Sequence, residues 1–205
     1  MDAPQPPLDE TRVDRDPFRQ FLRWFEHATV VTRTPEAAAL ATASADGAPS
    51  VRMVLLKRWE PDGFVFHTNL RSRKGRELGE NPRAALLLHW QDLGRQVRIE
   101  GRVRELPRDE AESYFRTRPR GAQIGAHVSR QSEPVGSRAE LDARQAQLAR
   151  ELDGKEVPLP DWWGGFRLLP ESFEFWQHRD DRLHDRIRYR REPGGAAWTI
   201  ERLQP

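Results

Sequence analysis

Residues 95–104, RQVRIEGRVR, alternate between apolar and polar side chains: Val97, Ile99 and Val103 on one face, Gln96, Arg98, Glu100 and Arg102 on the other. A period of two belongs to a strand with one dry face and one wet face, and an amphipathic helix cannot produce it. The segment therefore demands a sheet, and tight-turn signals on either side of short apolar runs supply its neighbours. Residues 38–44 run into Asp46-Gly47, a hairpin turn pair. Residues 50–57 lead to Pro61-Asp62-Gly63 and then to FVFHTN at 64–69, while ALLLHW at 85–90 reads as a buried strand. Towards the C-terminus GGFRLLP, FEFWQ, RLHDRIRYRR and AAWTIERL continue the pattern. The total is about nine strands joined largely as hairpins.

Helices punctuate this pattern. Asp16-Pro17 is an N-cap and first-turn pair, and Phe18, Phe21, Leu22 and Phe25 then recur at helical spacing to about residue 31. Ser72 caps a short helix stopped by Pro82. Pro107, followed by Asp109, Glu110 and Glu112, opens another that carries Tyr114 and Arg118, and Ser137 to about Leu152 forms a charged one. The expected fold is a single α+β domain around an antiparallel barrel over residues 17–205, preceded by a flexible tail over 1–16.

Composition narrows the chemistry. The 205 residues include no cysteine, which excludes disulfides, thiolate metal sites and a cysteine nucleophile. No His pair has metal-binding spacing, and no metal is expected. There is no nucleophile elbow, Walker loop or dinucleotide fingerprint. All but three of the 34 cationic side chains are arginine, and the net charge is only +2, which argues against a nucleic-acid surface. No apolar stretch is long enough to span a bilayer and no leader precedes the first helix, so no membrane partner and a cytoplasmic location are expected.

Several constellations remain. Arg52 and Lys57 bracket the apolar Met53-Val54-Leu55-Leu56; a compact ammonium at Lys57 suits an anion, and an ordinary surface lysine fits the position as well. Thr68-Asn69-Leu70-Arg71-Ser72-Arg73-Lys74 places cations at a helix N-terminus, where they oppose the helix dipole unless an anion binds. A solvated helix start is the alternative. Read as a strand, Arg182, His184 and Arg186 share one face and Leu183, Ile187 and Tyr189 the other; the first face suits a planar anion, or is a solvated edge. Tyr114 and Arg118 lie one turn apart and could bind a phosphate or serve the fold. Trp176 ends a strand and could cover a flavin, whereas core packing is the ordinary reading of Trp162 and Trp163. Together these are anion sites without a nucleophile, which points to a cofactor carrying the chemistry.

RMVLLK, FVFHTN-x-x-SRKGREL-x-x-NPRAALL, RQVRIEGRV, YF-x-x-RPRGAQIGA, QSEP, WGGFRL, FEFWQ, RLHDR-x-x-Y and the closing W-x-I-x-RL-x-P occur in that order from about residue 17 onward. The set resembles the pyridoxine/pyridoxamine 5′-phosphate oxidases. The resemblance implies an FMN-binding split β-barrel working as a homodimer. It implies oxidation of pyridoxine or pyridoxamine phosphate to pyridoxal phosphate, with O₂ reoxidising the flavin to give H₂O₂. By position it assigns FMN to Arg52, Met53, Val54, Leu55, Leu56, Lys57, His67, Thr68, Arg73, Lys74, Gln96, Gln131, Ser132, Trp176 and Arg186. The substrate phosphate falls to Lys57, Tyr114 and Arg118, and the substrate ring to Arg182 and His184 as the catalytic pair. Ala122 stands where the family often has a phosphate-binding serine, His67 where a tyrosine is usual, and His178-Arg179 where a glycine-containing turn is common. That turn keeps open a related oxidase acting on another ring, such as a phenazine precursor. A nucleic-acid-binding barrel is the reading from a different class.

Overall fold

In a computed structural model, which describes residues 6–192, 194–195 and 197–205, the alternating segment forms strand β5 (Arg95–Glu105), and the expected faces hold: Val97 and Ile99 are fully buried while Arg102 and Arg104 are exposed. Around it lie α1 (Pro17–Val31), β1 (Ala37–Ala43), β2 (Pro49–Glu60), β3 (Gly63–Asn69), α2 (Arg73–Glu80) and β4 (Arg83–Trp90). After β5 come α3 (Arg108–Thr117), α4 (Arg120–Val128), α5 (Arg138–Glu151), β6 (Trp163–Gln177), β7 (Asp185–Arg191) and β8 (Trp198–Arg202). All strand pairings are antiparallel in the order β3-β2-β1-β4-β5-β6-β7-β8. The β3–β6 pairing closes the first six into a barrel. Closure removes the open edges of those strands; β7 and β8 extend outward from β6.

Among the described residues there are eight strands, because GGFRLLP and FEFWQ are one strand. Closure depends on a bend in it. The N-terminal part of β6 pairs with β3 and its C-terminal part with β7, and β5 runs beside both. A bulge at Glu171 marks the change: Glu100 pairs with Ser172, Gly101 with Pro170. Gly101 makes room for it, since a Cβ there would lie 2.0 Å from the Leu169 carbonyl oxygen. Proline is tolerated at such an irregularity.

Helix α1 follows the expected cap. The Asp16 carboxylate accepts from the Phe18 N–H at 2.9 Å with Pro17 in the first turn. Its aromatic face packs on the barrel: Phe21 meets Phe64 at 5.0 Å, Phe18 meets Phe173 at 5.2 Å and Trp24 meets Phe175 at 5.2 Å between ring centroids. Leu22, expected on that face, is exposed, and Trp24 takes its place. Each such buried aromatic contributes about 1.5–3 kcal/mol. Helix α4 was not expected; it follows Pro119 and, with α3 and α5, builds a second apolar cluster around Phe115, Ile124 and Trp163.

The described part of the N-terminal segment, residues 6–16, differs from a flexible tail. Leu8 and Val13 are buried. Distant side chains donate to its main chain: Gln177 to the Pro6 carbonyl at 2.8 Å, Arg202 to that of Leu8 at 2.8 Å and Tyr189 to that of Asp14 at 2.7 Å. A proline-rich acidic stretch carries no local sign of such contacts.

Candidate active site

Two adjoining clefts open between β2, β3 and the α3–α4 region. One, of about 410 Å³, is lined by Met53, Val54, Thr68, Lys74, Ala122 and Gln131 among others. The other, of about 370 Å³, is lined by Leu55, Lys57, Tyr114 and Thr117. His67, Arg118 and Trp163 line both. A larger cavity of about 670 Å³ lies nearby, lined by Arg71, Arg144 and Trp162. We place the site in the smaller pair because their walls hold charged and polar groups without protein partners.

Lys57 owes its place to a bulge in β2. Leu56 pairs with Phe66 and Arg58 with Val65, which leaves Lys57 unpaired and aimed outward. The strand divides its neighbours: Met53 and Leu55 are exposed, whereas Leu56 is buried in the barrel core, so only its main chain can face a ligand. His67 lies in a ladder of rings. It stacks on Tyr114 at 4.0 Å and on Trp163 at 5.2 Å, and the Arg118 guanidinium sits 5.0 Å from the Trp163 ring centre. Both ring nitrogens of His67 and the Arg118 Nη1 are buried without a hydrogen-bond partner. Such groups cost free energy unless something pairs with them. Burial, together with the charges of Arg58, Arg118 and Lys57, pushes the His67 pKa down to about 4, so its ring is neutral near pH 7.

The first turn of α2 already uses two of its main-chain N–H groups. The Arg73 N–H donates to Ser132 Oγ at 3.1 Å, and the Gly75 N–H to its own cap, Ser72 Oγ, at 3.3 Å. Side chains are therefore the larger source of donors at this helix start. Lys74 Nζ donates to Thr68 Oγ1 and to Gln131 Oε1, each at 3.1 Å, and burial with the Arg52 charge lowers its pKa. Arg52 and Arg73 both reach the Glu77 carboxylate, at 3.3 and 2.8 Å.

A second group of expected residues sits elsewhere on the chain. Gln96, Trp176 and Arg186 pair across β5, β6 and β7. Arg186 is held by Glu174 at 2.9 Å, and Trp176 lies 4.7 Å from the His184 ring. Arg182 and His184 do not belong to the strand assigned to them. β7 begins at Asp185, Leu183 is exposed, and Arg182 has φ 65° in a turn whose N–H donates to the Arg179 carbonyl. The period-two argument fails because the turn at 178–184 is compact. His184 Nδ1 accepts the Arg179 N–H at 3.1 Å. The proton of the neutral ring is thereby assigned to Nε2. Among the described residues, Ser132 and Arg182 are the two non-glycine residues with positive φ. Strained backbone of this kind gathers at functional sites.

The two groups are far apart. His67 pairs with Gly165 on β6 and Gln96 with Trp176, so about 35 Å of strand path separates them. Glu77, Asn69 and Trp163 were absent from the expected set. The spacing of Arg73 and Glu77, four apart in a helix, was the available signal for the first.

Residues 25–149 match the family model described as pyridoxamine 5′-phosphate oxidase, and residues 163–205 the model described as the pyridoxine 5′-phosphate oxidase C-terminal dimerisation region. The chain belongs to the pyridoxamine 5′-phosphate oxidase family. A relative in this family from Rubrobacter xylanophilus, named pyridoxine/pyridoxamine 5′-phosphate oxidase, is 53% identical over 97% of this chain and 91% of its own. One from Streptomyces avermitilis with the same name is 50% identical over the same shares. The solved structure of PhzG from Burkholderia lata, in complex with tetrahydrophenazine-1-carboxylic acid, is 36% identical, covers 96% of both chains and has a TM-score of 0.89. An FMN-binding protein from Nostoc punctiforme shares the fold at 15% identity and a TM-score of 0.74. The family is one of flavoprotein oxidoreductases, and the side chains fit a flavin nucleotide. The exposed apolar strip of β2 offers a surface for a ring system, while Lys74 and the one N–H of the neutral His67 ring offer donors, and the other His67 nitrogen an acceptor, for the polar atoms of such a ligand. Among the described residues no helix is long and apolar enough to cross a membrane.

Proposed function

We propose that this protein is an FMN-dependent oxidase that converts pyridoxine 5′-phosphate and pyridoxamine 5′-phosphate to pyridoxal 5′-phosphate, acting as a homodimer. The observation that carries the reading is the pair of adjoining clefts, each with its own lysine, Lys74 in one and Lys57 in the other, joined through His67, Arg118 and Trp163. A flavin phosphate and a substrate phosphate call for such a duplicated anion site. Bound FMN would supply the acceptor for the hydride leaving substrate C4′ and would pass both electrons to O₂, giving H₂O₂; the alcohol would lose its hydroxyl proton to give the aldehyde, and with the amine water would hydrolyse the resulting imine and release ammonia.

The chain's own residues supply binding and orientation. Arg52, Arg73 and Lys74 take the cofactor phosphate, with Thr68, Gln131 and Ser132 around them. The main chain of residues 53–57 runs along the flavin, and Gln96, Trp176 and Arg186 complete its surroundings. Lys57, Tyr114 and Arg118 take the substrate phosphate. Burial raises the Tyr114 pKa, opposed in part by Arg118, and keeps the phenol a hydrogen-bond donor at neutral pH. Arg182 and His184 hold the substrate ring; His184 meets it as an Nε2–H donor, which makes it an orienting group and leaves it no role as a base in that tautomer. The separation of the two groups along β6 supports a dimer, in which one copy brings the Arg182–His184 turn to the other's clefts. The exposed row Val51, Met53 and Leu55 on β2 is the kind of surface such a contact covers.

A phenazine-type substrate is the second reading, favoured by the likeness to PhzG and by the His178-Arg179 turn. Rates of H₂O₂ release with the two B6 phosphates and with a reduced phenazine carboxylic acid separate them. Turnover of the phosphates with little release from the phenazine supports the proposal; the reverse order overturns it. Lys57, Tyr114 and Arg118 favour the phosphate.

A further inference from the structure

Glu77 is a buried carboxylate in a cluster of cations. Its side chain is 7% exposed, on the face of α2 that turns towards β1 and β2. Oε2 accepts from Thr42 Oγ1 at 2.5 Å, from Ser50 Oγ at 2.6 Å and from Arg52 Nη2 at 3.3 Å; Oε1 accepts from Arg73 Nε at 2.8 Å. Arg52 also donates to Thr42, Ser50 and the Leu40 carbonyl. One carboxylate thus fixes two guanidiniums that approach from different elements, a strand and a helix. Burial alone would raise its pKa, but hydrogen bonds from Ser50, Thr42 and Arg73, with the Arg73 charge, bring it down to about 2, so it is ionised at any working pH.

Arg52 has further anchors in Thr42, Ser50 and the Leu40 carbonyl, but Arg73 would not hold this geometry alone. The Arg73 side chain is 58% exposed, and Glu77 is its one hydrogen-bonding or ion-pair partner among the described residues. Lys74 has no carboxylate partner among the described residues. The cluster of Arg52, Arg73, Lys74 and Glu77 therefore keeps two positive charges in excess, which matches a phosphomonoester dianion. Without Glu77, three cations would repel one another and Arg73 would have to be immobilised when the ligand arrives.

We infer that Glu77 is a positioning residue for the flavin phosphate: it holds Arg52 and Arg73 in place and trims the cluster's charge to that of the ligand. The inference rests on the FMN reading above, and the experiment keeps the two distinct. Dissociation constants of FMN and of riboflavin, which lacks the phosphate, are measured by flavin fluorescence for the wild-type apoprotein and for Glu77→Gln. The expected result is about tenfold weaker FMN binding, with riboflavin unchanged within about twofold. Equal losses for both flavins would make Glu77 a fold residue only. FMN binding that is unchanged or tighter would show its charge to be a simple electrostatic cost. Either result overturns the inference, whereas a wild-type protein that ignores FMN overturns the cofactor reading itself. Should Glu77→Gln fail to fold, Ser50→Ala removes the hydroxyl that bonds both Arg52 and Glu77; a loss of about threefold confined to FMN is then expected, and no loss contradicts the inference.

Discussion

His67 lies face to face with Tyr114, ring centroids 4.0 Å apart and planes 14° apart, in the wall shared by the two clefts. The contact ties a β3 residue that lines both clefts to an α3 residue that lines the one holding Lys57, the cleft proposed for the substrate phosphate. Because the imidazole is buried and surrounded by cations, its pKa is depressed from 6.5 to about 4. Between those values the unfolded chain binds more protons at this position than the folded one, so the stability gained with rising pH is lost as pH falls from about 6.5 towards 4. His67→Phe keeps the stack and removes the titration. Its melting temperature is expected to fall less steeply over that interval, by a difference of roughly 2–4 °C per kcal/mol of linkage removed. Parallel curves for variant and wild type would contradict the assignment.

Arg118 has a buried Nη1 without a protein partner, and burial lowers its pKa. If its partner is the substrate phosphate, Arg118→Ala should raise KM for pyridoxine 5′-phosphate by about 10- to 100-fold, the range of a charge-assisted hydrogen bond. FMN affinity should change little. Steady-state kinetics beside a flavin titration check this, and a loss that falls on FMN alone contradicts it.

Ala122 lines the same cleft as Arg118 and Lys74. A hydroxyl at this place could add a hydrogen bond to a bound phosphate. Ala122→Ser is expected to lower KM for the phosphorylated substrate by about three- to tenfold with kcat unchanged, the signature of uniform binding. A rise in KM would mean that the serine crowds the site.

Arg182 holds a left-handed backbone conformation that costs on the order of 1 kcal/mol or more for a non-glycine residue. On the proposal that its guanidinium meets the substrate ring, Arg182→Ala should lower kcat/KM by at least about 100-fold while FMN stays bound. Full turnover by the FMN-loaded variant would remove Arg182 from the proposed site.

Gly101 tests the fold. A methyl at this position collides with the Leu169 carbonyl at the bulge that lets β6 serve both β3 and β7. Gly101→Ala should destabilise the protein by about 3 kcal/mol or more, seen as a lowered urea midpoint. A neutral result would mean that the bend tolerates displacement.

What could be read from the sequence follows from the range of each signal. The alternation over 95–104, the Asp16-Pro17 cap and the Ser72 cap are local, and the elements they specify form where expected. Leu22 turns outward because the buried stripe of α1 runs through Phe18, Phe21, Trp24 and Ala28, and a residue two positions from Trp24 lies on nearly the opposite side of the helix. The docking of residues 6–16 depends on Gln177, Tyr189 and Arg202, more than 170 residues away, and no local pattern reports it. In the site, Lys57, Tyr114, Arg118, Thr68, Lys74 and Gln131 gather in the adjoining clefts, while Gln96, Trp176, Arg182, His184 and Arg186 lie along the far end of β6. Glu77 escaped because a glutamate that follows Arg73 and Arg76 on a short helix resembles a surface ion pair until β1 and β2 cover it.

The most direct measurement is an anaerobic titration of the FMN-loaded protein with pyridoxine 5′-phosphate, followed by flavin absorbance. The account predicts bleaching as substrate is added, return of the oxidised spectrum on admitting air, and one pyridoxal phosphate formed per flavin reduced. A bound flavin that stays oxidised at saturating substrate would contradict it.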